Sequence, residues 1–86
     1  MKQGTCIAYR TETSFMLYFF LQKEINGDLV FCRMFVLPEE MTRSDFWRMT
    51  PKYFEENVAN GNITIYENGF PAEVVDAWSE FQEKEI

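Results

Sequence analysis

The sequence predicts an α+β fold: a three-stranded antiparallel meander plus a fourth short strand, with two helical segments packed on one face, in the order βββ-α-β-α. Three observations carry that prediction. Asn26-Gly27 separates two apolar runs, and such a pair marks a hairpin turn because its central residues need positive φ. The first 37 residues are rich in β-branched and aromatic side chains. Beyond Pro38 the apolar spacing changes from alternation toward helical periodicity.

Residues 5–10 read as the first strand, and Thr11-Glu12-Thr13 turns it back antiparallel. The second strand covers about residues 14–24 and the third about 28–37, where Pro38 stops it. With a two-residue turn at Asn26-Gly27, Leu21 opposes Cys32, Phe19 opposes Met34 and Leu17 opposes Val36. That face, with Val30, is wholly apolar and is expected to be the one the helices cover. The other face carries Met16, Tyr18, Phe20 and Gln22 against Leu37, Phe35, Arg33 and Phe31. Two short helices have apolar surface for one sheet face only, so Tyr18, Phe20, Phe31 and Phe35 are expected to stay partly exposed.

Thr42 is placed to N-cap a helical turn, with Asp45 as its capping-box partner. Phe46, Trp47 and Met49 then supply an apolar side. Thr50-Pro51 is a second start signal, and Asn60-Gly61 supplies a left-handed stop after Pro51–Ala59. Residues 43–60 therefore read either as one kinked helix or as two short ones. Asn62–Glu67 alternates again and forms the fourth strand, expected to join an edge of the meander. Asn68-Gly69 turns the chain into a last helix, Pro71–Glu85, with Val74, Trp78 and Phe81 along one side.

Eighty-six residues with a hydrophobic fraction of 47% make a single α+β domain, 1–86, and no disordered tract. The formal net charge is −6 and there is no histidine. The acidity is uneven: residues 1–37 hold three acids and four bases, whereas residues 67–86 hold six acids and one base. Direct nucleic-acid binding is excluded on charge, because Arg33 alone among the sheet aromatics does not hold a phosphate backbone. An anionic membrane surface is disfavoured for the same reason, and Phe15–Leu21 is too short to cross a bilayer. The first residues contain no apolar signal core, so the expected location is cytoplasmic. Cys6 and Cys32 fit no C-x-x-C spacing and are expected to stay reduced.

The chain lacks the parts of a catalytic site. Without histidine there is no ordinary general base at neutral pH, no Ser-His or Cys-His dyad and no imidazole metal ligand. Its four glycines are scattered turn residues and form no phosphate loop. No calcium-loop pattern occurs, which leaves only a carboxylate magnesium site assembled by tertiary structure. The expectation is a protein that is not an enzyme and needs no cofactor and no metal.

Two features suit partner binding. Glu73, Asp76, Glu80 and Glu83 fall in one row along the last helix, at i, i+3, i+7 and i+10. Such a row is either a solvated helix face or an electrostatic handle that imitates a stretch of phosphates. The second is the hairpin face with Tyr18, Phe20, Phe31, Arg33 and Phe35, whose aromatic and arginine anchors are those of an interface. In size, acidity and lack of catalytic groups the chain is similar to small inhibitor and immunity proteins, including those that phages use against bacterial defence nucleases. That likeness is compositional and covers no motif. It implies a protein-binding module that blocks a basic, nucleic-acid-handling partner. The alternative is a homodimeric structural or accessory subunit joined through the hairpin face.

Overall fold

A computed structural model describes residues 1–84 and places them in one five-stranded antiparallel sheet with two α-helices. The strands are β1 (Cys6–Arg10), β2 (Phe15–Lys23), β3 (Leu29–Arg33), β4 (Phe46–Met49) and β5 (Ile63–Tyr66). The helices are α1 (Pro51–Ala59) and α2 (Ala72–Lys84). The expected α+β class, the meander and the pair of helices are all present; β5 joins an edge of the meander as anticipated, and that edge is β1. The sheet order is β4-β3-β2-β1-β5. Glu85, assigned from sequence to the last helix, lies outside the described residues.

The β2–β3 hairpin departs from the anticipated register in a way that preserves its faces. Its loop has three residues, Ile25 to Gly27, closed by Glu24 N–H donating to the Asp28 carbonyl and Gly27 N–H donating to the Glu24 carbonyl. Gly27 takes φ 95°, the left-handed position such a loop demands. This loop shifts the pairing by one residue, which on its own would set Phe20 against Cys32. An irregularity at Leu21, between Phe20 and Gln22, shifts it by one more. Phe19 consequently opposes Cys32, and Phe20 opposes Phe31. Two single-residue offsets add to two, so each side chain beyond the bulge keeps its anticipated side.

The third strand ends earlier than expected, at Arg33. Met34 N–H still donates to the Leu17 carbonyl, but Phe35 adopts φ 63° and turns the chain out of the ladder. Val36 and Leu37 are therefore not strand residues. A left-handed non-glycine residue costs roughly 1–2 kcal/mol, and no turn residue in the sequence announces it.

Residues 43–49 are a second correction. Thr42 and Asp45 do cap a turn, with Thr42 N–H donating to Asp45 Oδ2 at 2.8 Å, but the turn is a single 3₁₀ turn, Arg43–Asp45. The next four residues form β4 and extend the sheet beyond β3, with Trp47 opposite Phe31 and Phe46 opposite Cys32. A four-residue segment with three apolar side chains does not distinguish strand from helix by periodicity, and the open edge of β3 decides the matter. The helix at Pro51–Ala59 matches its signals: Thr50 Oγ1 accepts from Tyr53 N–H at 3.1 Å, and Gly61 takes φ 87° just past the end.

The two helices lie on opposite faces of the sheet, which corrects the one-face packing read from sequence. Phe54 of α1 packs with Ile7, Phe20, Phe31, Met49 and Ile63. On the reverse side, Val74, Ala77, Trp78 and Phe81 of α2 pack on Ala8, Phe15 and Leu17. Alternation along β1 (Ile7 to one side, Ala8 to the other) requires this arrangement. Met41, in the segment that follows β3, covers Cys32 beyond the reach of α2, with sulfur atoms 3.8 Å apart. Cys6 and Cys32 are both free, flanking Phe19 on adjacent strands. Two strand spacings of about 4.8 Å separate them, more than a disulfide spans. Burial raises both thiol pKa values.

Candidate functional site

The surface of α2 is built by the same periodicity that anchors it. Its half-buried face holds Val74, Trp78 and Phe81, the last edge-on to Phe15 with ring centres 5.9 Å apart. Gln82 adds a tie by donating its side-chain amide to the Phe15 carbonyl at 3.2 Å. With that face fixed on the sheet, Glu73, Asp76, Glu80 and Glu83 are all exposed. Ten residues at 1.5 Å per residue place the row along about 15 Å of helix. Among the described residues, the ion pairs join Arg33 to Asp45 and Arg48 to Glu24, and neither draws on α2. The row therefore faces solvent with none of its carboxylates in an ion pair among the described residues, and Lys84 is the one base on the helix.

The hairpin-face residues are dispersed by the fold. Phe31 is fully buried and Phe20 is 5% exposed, because α1 closes over them and Phe54 stacks on Phe31 at 5.6 Å. Their anticipated exposure, and with it their place in an interface, is overturned: Met49 of β4 and Phe54 of α1 supply the cover. Tyr18 is half-buried against Trp47, ring centres 5.2 Å apart. Burial pushes its phenol pKa up, partly offset by the Arg33 charge. Arg33 is occupied by Asp45 at 3.7 Å, a buried carboxylate that also accepts the Thr42 N–H.

Phe35 goes elsewhere. Its left-handed backbone carries the ring to α2, where it stacks on Trp78 with centres 5.2 Å apart and planes inclined by 26°. Even so, the residue is 60% exposed, and nearby in sequence Leu37 is 55% exposed. Beneath it the Trp78 Nε1–H is buried with no hydrogen-bond partner among the described residues. An orphaned buried donor costs about 1–3 kcal/mol. Sequence reasoning placed Trp78 with the core and Phe35 on the hairpin. Their meeting had no sequence signal, since a phenylalanine at positive φ carries none.

Among the described residues no group of three or more His, Cys, Asp or Glu side chains is placed to hold a metal ion. Among the described residues no helix is long and apolar enough to cross a membrane. In comparisons with known proteins, no family model, no curated protein and no solved structure matches this chain.

Proposed function

We propose that this chain is a small acidic protein-binding module of the inhibitor or immunity/anti-defence type, which blocks a basic, nucleic-acid-handling partner in the cytoplasm. One observation carries the reading: Glu73, Asp76, Glu80 and Glu83 stand in a single exposed row on an anchored helix, with no cation of the chain paired to them among the described residues. A row of carboxylates about 15 Å long occupies the space of a short run of backbone phosphates. Steering by such a field speeds encounter with a basic surface and discriminates against acidic ones. The action needs no turnover, no cofactor and no metal. The alternative of a homodimer through the hairpin face requires Phe20 and Phe31 at the surface, and both rings are spent inside one chain.

Charge reversal tests the reading. Glu73→Lys, Asp76→Lys, Glu80→Lys and Glu83→Lys together leave the half-buried face of α2 untouched, so the circular dichroism spectrum should be retained. Capture from the native host at low salt should lose its partner in this variant, and the wild-type capture should fade as salt rises. The captured protein should bind nucleic acid and be inhibited by the wild-type chain. Unchanged capture by the reversed, folded variant rejects the proposal.

A further inference from the structure

Resting on the acidic-row reading, we infer that the outer edge of β5 receives an extended, basic segment of the partner as an added strand. β5 ends the sheet, so one side of its backbone has no neighbouring strand among the described residues. The phase of the β1–β5 ladder fixes which groups that side offers. Arg10 N–H donates to the Asn62 carbonyl at 2.8 Å, and bonded pairs alternate along an antiparallel register. Thr64 and Tyr66 therefore turn their backbone groups to β1, whereas those of Ile63 and Ile65 turn outward. Native sheet edges are commonly blunted by a charge, a proline or a bulge. The opposite edge carries the exposed Arg48 within β4. β5 has none of these devices, and its central residues Thr64 and Ile65 are exposed.

An extended polypeptide matches such a row of amides and carbonyls, and clefts on both faces of β5 suit its alternating side chains. Thr64 and Tyr66 line one cleft of about 300 Å³ that reaches Glu73 and Ala77 of α2. Ile65 and Glu67 line the other, of about 460 Å³. Each cleft also has one base, Arg10 and Lys2 respectively, so the sign of the occupant is set by α2 and not by the clefts. At about 100° per residue, Glu80 lies about 20° around the helix from Glu73, and Ala77 about 40° to the other side. With Glu73 and Ala77 both on the cleft, the acidic row leans toward β5 and away from Trp78. A basic segment arriving at the edge meets that row. A second copy would bring its own net charge of −6 against it.

A blocked heptapeptide of alternating lysine and valine, titrated calorimetrically into the intact chain at low salt, tests this beside its fully N-methylated counterpart. The two carry the same charge, but the second has no backbone N–H to offer a ladder. It should bind about tenfold more weakly, as expected for the loss of two or so hydrogen bonds. Ile65→Pro removes one outward donor at a position where an edge strand tolerates proline. It should keep the circular dichroism spectrum and weaken the plain peptide by several-fold; the peptide pair decides the matter even if this variant does not fold. Equal affinity of both peptides for the wild type overturns the added strand while leaving the acidic row standing. Binding of neither overturns the row, and the strand with it. A wild-type dimer in sedimentation that Ile65→Pro dissociates gives the edge to a second copy and overturns the proposal as well.

Discussion

At Tyr18 burial dominates the chemistry. The phenol is half-buried under Trp47, and desolvation raises its pKa more than the Arg33 charge lowers it; Tyr9, on the same face, is raised too. A raised value means the folded chain holds the proton more tightly than the unfolded chain does. The resulting stability is complete below the ordinary tyrosine value of about 10 and is lost as pH climbs through the raised one. Urea midpoints should therefore decline in the alkaline range, and Tyr18→Phe should lessen the decline. An identical alkaline slope in that variant would show that Tyr18 is not a source of it. At the same scale, the Thr42–Asp45 cap was legible as a spacing of residue types, whereas the pairing of Arg33 with Asp45 joins residues twelve apart across a turn and was not.

Among the elements, those with local signals were legible and those made by partners were not. Thr50-Pro51 and Asn60-Gly61 bracket α1 with the residues that stop and start helices, and the helix occupies that interval. β4 has no such brackets. Phe46, Trp47, Arg48 and Met49 become a strand because β3 has an unpaired edge beside them. The helices also differ in how firmly they are held. α1 buries Phe54 and Asn57, whereas no residue of α2 is fully buried. Phe54→Ala should cost about 3–5 kcal/mol in urea unfolding, as expected for a buried ring. Phe81→Ala, on the half-buried face of α2, should cost clearly less. Equal costs would mean that α2 is anchored more deeply than its exposure indicates.

For the whole molecule, placing one helix on each side of the sheet changes what the surface offers. A one-faced packing would have left a broad aromatic surface and drawn copies together. In the observed arrangement Phe20 and Phe31 are interior, and like charges of −6 keep copies apart. Sedimentation at micromolar concentration should give a monomer; a stable dimer would require a contact other than the hairpin face. The acidic row was fully legible, since helical spacing alone sets it out. The aromatic half of the candidate interface was not, because which rings are spare depends on how many layers the chain builds. The bulge at Leu21 has a consequence for how this hairpin tolerates changes in length. Leu21 is the surplus position in its strand: a chain shortened there zips into an uninterrupted ladder, with Phe20 still meeting Phe31. Shortened by one residue within 16–19 instead, the strand would turn the remainder of its length inside out. Viable one-residue deletions in β2 should therefore concentrate at that single leucine.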